Sequence, residues 1–312
     1  MKTVYLNDIH FFIEWPQPTL VALGFFDGIH LGHQKLIMKS KEIAKRNGLK
    51  FAVMTFYPHP KEVIKGEKVN YLMPPQAKEE KMRQLGVDVF YVVNFTKQLS
   101  MLSSEEFVEN FIIKLNAKHV IAGFDFTYGY RGRGTMETLI QEGKGRFEVT
   151  TFSKVSQKGE KVSSTFIRNL ISKGKVREIK KYLGSEYETE GVLSDTFKHE
   201  SQTPLFKCFT FSPTHSCMLP RNGGYLVEVQ VATSVIPAVA EVTSIVEEKV
   251  AIVIKLWNNY KLINDKKVRV KWIERLGSRE LLNCQSTYKE SSLTYKPAAA
   301  RGSGREKGLF GI

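Results

Sequence analysis

The stretch Thr19-Leu-Val-Ala-Leu-Gly-Phe-Phe-Asp-Gly-Ile-His-Leu-Gly-His-Gln34 decides the fold. Leu20, Val21 and Leu23 make an apolar strand, which runs into a turn carrying Gly24 and Gly28. His30 and His33 follow, one helical turn apart, at the start of an amphipathic helix. A helix start offers unpaired N–H groups and the positive end of its dipole. Two imidazoles there add donors that can follow charge onto a leaving pyrophosphate. Strand, glycine turn and His-x-Gly-His together predict a phosphate site.

Outward from this stretch, strand and helix patterns alternate. Strands are predicted at Leu20–Phe25, Leu49–Phe56, Val87–Val93, His119–Gly123 and Phe147–Phe152. Helices are predicted at Leu31–Asn47, Pro75–Leu85, Ser104–Asn116 behind a Ser103/Glu106 capping box, and Thr135–Gln141. The alternation implies an α/β fold, a parallel sheet with helices on both faces and ligands beyond the carboxyl ends of the strands. Two short helices, Ser163–Lys173 and Lys175–Leu183, end at Gly184. The pattern then turns to short β runs at Glu190–Leu193, Leu205–Phe211, Gly224–Val231, Val239–Ile245, Lys249–Trp257 and Lys267–Ile273. Turns such as Pro220–Gly223 and Asn258–Asn259 separate them, which predicts a small antiparallel barrel or sandwich. We place a domain boundary near Gly184, giving residues 1–184, 185–284 and a tail at 285–312. The tail lacks periodicity and is expected to be disordered, with Lys296–Ile312 read as an appended or read-through segment.

The 312 residues suffice for two domains. No stretch is apolar enough for a membrane span; Val250–Trp257 is strand-length and broken by Lys255. Asp8 and Glu14 interrupt any secretory signal, and Cys208, Cys217 and Cys284 lack metal or CxxC spacing. They are expected to be reduced thiols of a cytoplasmic protein. The net charge of +14 suits nucleic acid, anionic lipid or a polyphosphate. No RNA-binding signature accompanies it, and the tail alone contributes five Lys/Arg against two Glu. A solvated basic surface, with no nucleic-acid or membrane partner, is the expectation; oligomeric state is not legible.

Three more segments follow predicted strands. Thr55-Phe-Tyr-Pro-His-Pro60 is stiffened by two prolines and reads as a platform for a planar ring or as a rigid turn with a surface histidine. Ala122-Gly-Phe-Asp-Phe-Thr-Tyr-Gly-Tyr-Arg-Gly-Arg-Gly134 interleaves aromatics with glycines and ends on two arginines. That pattern suits a ring-bearing, phosphorylated ligand, with Asp125 for a ribose hydroxyl or an amine. Val162-Ser-Ser-Thr-Phe-Ile-Arg168 puts hydroxyls at a helix start with Arg168 one turn on. It reads equally as a phosphate grip or as an ordinary N-cap with a surface arginine. No Walker motif, no GxGxxG after the first strand and no Ser-His-Asp set competes, which argues against a P-loop kinase and a dinucleotide dehydrogenase.

The segments GFFDGIHLGHQ, TFYPHP, GFDFTYGYRGRG and VSSTFIR, in this order and spacing, resemble the bacterial bifunctional riboflavin kinase/FMN adenylyltransferases, the prokaryotic FAD synthetases. The resemblance covers about Val21 to Gly184. It implies an N-terminal Rossmann-like nucleotidyltransferase domain, a C-terminal β-barrel of riboflavin-kinase type, and AMP transfer from ATP to FMN with Mg²⁺ on the phosphates. By motif, His30, His33 and Arg168 would be catalytic. Gly24, Phe25, Asp27, Asp125, Arg131, Ser164 and Thr165 would join them around ATP. Phe56, His59, Pro60, Asp125, Phe126 and Tyr128 would surround the flavin. No side chain would ligate metal directly, since Mg²⁺ would arrive on ATP.

The C-terminal half departs from the family. A Gly-Phe-Pro-Thr-Ala-Asn segment is expected where this chain reads Phe206–His215, with only Pro213-Thr214 retained. A Glu-Val-His strand is expected where it reads Lys249-Val-Ala-Ile-Val-Ile-Lys-Leu-Trp257, which has no acidic residue. An alkyl side chain cannot take a proton from a hydroxyl. The expectation is an FAD synthetase whose barrel has lost riboflavin kinase activity. The alternatives are a bifunctional enzyme, with Glu247 or Glu248 as substitute base, and a non-catalytic flavin- or RNA-binding regulator.

Overall fold

The computed structural model describes residues 1–7, 17–157, 159–195, 206–244, 250–257 and 266–277. Asp8, Glu14, Glu247, Glu248, Asn258, Asn259, Cys284 and the predicted tail lie outside the described residues.

Six strands form a parallel sheet in the order β1-β4-β3-β2-β5-β6. They are β1 (Lys2–Leu6), β2 (Thr19–Leu23), β3 (Lys50–Tyr57), β4 (Val89–Asn94), β5 (Ala117–Gly123) and β6 (Glu148–Phe152). The predicted alternation missed β1. It pairs only with β4, and an edge strand with one buried residue, Leu6, leaves a weak apolar signal. The helices are α1 (Leu31–Arg46), α2 (Pro60–Lys65), α3 (Pro75–Gln84), α4 (Lys97–Ser100), α5 (Ser104–Val108) and α6 (Met136–Gly143). The capping box of Ser103 and Glu106 is present. The helix it starts is α-helical only to Val108, then widens into a π-turn at Glu109–Ile113 that sets Phe111 and Ile112 into the core. The chain lays β3 and β4 on one side of β2 and β5 and β6 on the other. The switch point is therefore beside β2, where an open α/β sheet binds its ligand.

A hairpin β7 (Ser156–Gln157) and β8 (Glu160–Lys161) leads to α7 (Ser164–Ser172) and α8 (Val176–Leu183). Ser163 caps α7, and Gly184, left-handed at φ 80°, ends α8. The rest is a closed antiparallel barrel rather than a sandwich, in the order β10-β13-β12-β11-β14-β9. Its strands are β9 (Tyr187–Asp195), β10 (Phe206–Pro213), β11 (Gly223–Val231), β12 (Ser234–Ser244), β13 (Val250–Trp257) and β14 (Lys266–Arg275). β12 begins five residues before its predicted start. Pro237 lies beyond the stretch that pairs with β13, where a missing N–H removes no second ladder bond. The apolar cluster filling the barrel includes Val227, Ile252, Val270 and Trp272, and also Ile167, Ile171, Ile179 and Leu183 from α7 and α8. Cys208 and Cys217 are free thiols. No helix among the described residues is long and apolar enough to cross a membrane.

Trp272 is fully buried and donates from Nε1 to Thr189 Oγ1 at 3.0 Å. Trp272→Ala leaves a large cavity and an unpaired hydroxyl. It should lower the unfolding free energy by about 3–5 kcal/mol, measured by urea titration.

Candidate active site

The site is built on the turn after β2. Phe26 and Ile29 adopt positive φ, 51° and 40°, and Gly28 sits at 77°. Left-handed backbone is native to glycine but costs a bulky residue about 1–3 kcal/mol. Such a turn persists only if its surroundings hold it. Phe25 carbonyl accepts from Thr55 Oγ1 at 2.8 Å and from Lys78 Nζ at 2.9 Å. Asp27 carbonyl accepts from Ser164 Oγ at 2.9 Å, and Ile29 carbonyl from Gln34 Nε2 at 2.8 Å. The Asp27 carboxylate is buried. It accepts from the N–H groups of Leu72 at 3.0 Å and Met73 at 3.2 Å and pairs with the Arg168 guanidinium. Three neutral bonds of about 1 kcal/mol each, from Thr55, Ser164 and Gln34, are of the order of that strain, and charge-assisted bonds from Lys78, Leu72, Met73 and Arg168 add to the hold.

The turn delivers His30 as the N-cap of α1. Its Nδ1 accepts the His33 N–H at 3.2 Å, which places the proton of the neutral ring on Nε2. The two imidazoles stack at 3.6 Å with 15° between their planes, and Phe26 meets His33 edge-on at 5.2 Å. Burial lowers the His30 pKa to about 4; the Lys161 charge adds to this, while a backbone hydrogen bond and Asp125 oppose it. Burial, then the proximity of His30 and Lys78, holds His33 well below its ordinary value. Both rings are neutral near pH 7. Neutral rings at a helix N-terminus can donate hydrogen bonds to a ligand but are not fixed cations.

A cavity of about 550 Å³ opens in front of them, beyond the carboxyl ends of β2, β3 and β5. That size suits a nucleotide-sized ligand. The β2 turn contributes Gly24 and Phe25, and α1 contributes His30 and His33. The β3 exit contributes Phe56, His59 and Pro60, and the β5 loop Asp125, Phe126, Tyr128 and Arg131. His59 reaches the wall as the cap of α2: its Nδ1 accepts from Lys61 N–H at 3.0 Å, and its ring meets Phe25 edge-on at 4.5 Å. Tyr128 is nearly buried and donates to Glu142 Oε2 at 2.7 Å. Gly129 is left-handed, and a Cβ there would lie 2.9 Å from the Ser104 backbone.

Four expected site residues are not in the lining. Asp27 lies behind the wall because its carboxylate is consumed by Leu72, Met73 and Arg168. Arg168 is turned toward Asp27 and Asn70 carbonyl, Ser164 toward Asp27 carbonyl, and Thr165 is exposed on α7. Ser164 and Arg168 hold the turn from the far side.

Sequence reading missed two lysines. Lys161 lines the cavity, pairs with Asp125 at 2.6 Å and lies 4.9 Å over the Phe124 ring. Nothing in its local sequence marks it. Lys78 is buried on α3 and supports Phe25 from behind; burial lowers its pKa to about 8, against the pull of Asp27. Its signal was its spacing, one turn before the buried Met82. Phe95, Leu99 and Phe107 also line the cavity.

In the barrel, Ile252, Ile254 and Leu256 of β13 are fully buried. Pro213 ends β10, and Thr214 is hydrogen-bonded to Glu190 carbonyl through N–H and Oγ1.

The FAD synthetase family matches residues 13–166. A bifunctional riboflavin kinase/FMN adenylyltransferase of Listeria monocytogenes is 43% identical over 74% of this chain and 74% of its own length. One from Bacillus subtilis is 34% identical over 91% of this chain and 92% of its length. A crystal structure described as a macrolide-efflux protein from Streptococcus pneumoniae has a TM-score of 0.80 at 27% identity, covering 91% of this chain and 96% of that one.

Asp27→Asn removes the charge that Arg168 faces. Because Arg168 is partly exposed, the loss should be near 3 kcal/mol, the low end for a broken buried pair, in urea unfolding. His30 binds its proton at about 4 in the folded chain and at 6.5 ordinarily. Between those values the unfolded state holds more protons, so this contribution is complete above pH 6.5 and is lost as pH falls toward 4. In His30→Gln, the drop in urea midpoint from pH 7 to pH 5 should be smaller than in the wild type; equal drops would refute the assignment.

Proposed function

The chain belongs to the FAD synthetase family, the bifunctional riboflavin kinase/FMN adenylyltransferases, and we propose that it transfers AMP from ATP to FMN without phosphorylating riboflavin. One observation carries the transfer reading: two neutral, stacked imidazoles stand at a helix N-terminus inside a cavity with aromatic walls. The triphosphate would lie across the first turn of α1 beside His30 and His33, with Arg131 at the rim. Phe56, Phe126 and the His59–Pro60 wall would take the flavin ring.

The FMN phosphate carries an anionic oxygen at neutral pH and needs no strong base. It attacks the α-phosphorus, the bond from that phosphorus to the β-phosphate bridging oxygen breaks, and pyrophosphate leaves. Charge grows on the leaving group, which would lie beside the start of α1 and the two imidazoles. Catalysis is then alignment and charge stabilisation. Mg²⁺ would come as part of the nucleotide substrate. Among the described residues, Asp125 is the one carboxylate in the cavity lining, and no cluster of three or more His, Cys, Asp or Glu is present. Ser164 and Arg168 act through the turn rather than on the phosphates.

The loss of kinase activity is supported by β13, which presents Ile252, Ile254 and Leu256 to the barrel interior where the resemblance calls for an acidic base. Retention of both activities is the second reading, favoured by the Bacillus subtilis relative, whose match extends through the barrel.

With ATP and Mg²⁺, the protein should convert FMN to FAD and leave riboflavin untouched, as resolved by chromatography. FMN or FAD from riboflavin would establish the second reading; no FAD from FMN would end the first. His33→Ala should slow FAD formation by roughly two to three orders of magnitude, the scale of one lost transition-state donor.

A further inference from the structure

A short backbone pairing joins the barrel segment Ser216–Met218 to the segment before α3. Tyr71 lies parallel to Cys217. Tyr71 N–H donates to Ser216 carbonyl at 3.3 Å, and Met218 N–H donates to Tyr71 carbonyl at 3.0 Å. Ser216 Oγ reaches Val69 carbonyl at 3.3 Å and Asn70 Oδ1 at 3.0 Å. On its other side the segment is tied into the barrel, where the Tyr187 hydroxyl donates to Met218 carbonyl at 2.5 Å.

What Tyr71 and its neighbours do makes this pairing consequential. The next two N–H groups, Leu72 and Met73, hold the Asp27 carboxylate. Tyr71 hydroxyl accepts the His59 N–H at 2.9 Å and donates to Glu62. Its ring stacks on Phe25 at 6.3 Å. Asn70 carbonyl receives Arg168 Nε at 3.5 Å. One four-residue segment therefore bears on the strained turn, on Phe25 and on His59, and its outer edge is fixed by the barrel.

We infer that barrel segment Ser216–Met218 is a positioning element of the adenylyl-transfer site: it sets the place of Asn70–Met73 and, through them, of the turn that presents His30. This rests on the reading of the cavity as the site of AMP transfer. Displacements of about 1 Å at such a site are enough to slow a reaction severalfold to a hundredfold. Neither Ser216 nor Met218 lines the cavity, so a change there reaches the chemistry only through the segment.

The test uses the full chain. The double variant Ser216→Ala, Met218→Pro removes the hydroxyl shared between Val69 and Asn70 and the N–H that the Tyr71 carbonyl accepts. Hydrogen exchange at the Leu72 and Met73 amides should speed up about tenfold, and kcat for FAD formation should fall about tenfold. Ile252→Ala, in the barrel wall, destabilises without touching the pairing; the folded protein should keep both values. A folded double variant with wild-type exchange at Leu72 and Met73 and wild-type kcat overturns the inference. Should Met218→Pro fail to fold, Ser216→Ala decides alone, with about a threefold effect expected on exchange and on kcat and no effect on either overturning the inference. Wild-type protein that makes no FAD overturns the reading of the cavity and not the pairing, which the exchange rates decide by themselves.

Discussion

The site depends on one buried carboxylate. Asp27 gathers two amides from the segment before α3 and a guanidinium from α7 onto a turn that would not hold its shape alone. A carboxylate in this position is expensive to bury and worthwhile only when fully partnered. Here the partners come from two distant parts of the chain, the segment before α3 and α7. The backbone of Phe26 and Ile29 is strained as a result of being held, and the strain puts His30 and His33 on the first turn of α1 with both rings facing one way.

The same arrangement explains why the imidazoles are neutral. Burial disfavours the charged form of both rings, Lys161 adds to this at His30 and Lys78 at His33, and two rings stacked at 3.6 Å cannot both carry a proton cheaply. Charged histidines would be the simpler choice for a polyanion. Neutral ones hold donors in place whose strength grows as the leaving group becomes anionic, while the surrounding cations supply the standing field. A donor is most useful when it favours the transition state over the bound triphosphate.

The parallel sheet, the position of His30 and His33, the α7 cap and the β-rich second half were legible because each leaves a local signal: periodicity, a capping residue, a turn. The edge strand β1 was not, since one-sided pairing demands little of its sequence. Ser164 and Arg168 were found, but their orientation was not. A hydroxyl and an arginine at a helix start suit a phosphate and a buried carboxylate equally well, and Asp27 is 141 residues from Arg168. Lys161 was invisible for the same reason: its importance lies in Asp125 and Phe124, which only the fold brings to it.

The barrel is better understood through α7 than through its own interior. Ile167, Leu170 and Ile171 on one face of α7 belong to the apolar cluster that fills the barrel region, while Ser164 and Arg168 on the same helix grip the transferase turn. Cutting the chain at Gly184 would strip that face of the barrel's share of its packing and leave the grip on a nine-residue helix backed chiefly by the eight-residue α8. Short helices take most of their stability from such tertiary packing. A barrel that performs no phosphorylation would still be required, because the carboxylate that shapes the active turn is partnered by an arginine whose helix the barrel holds.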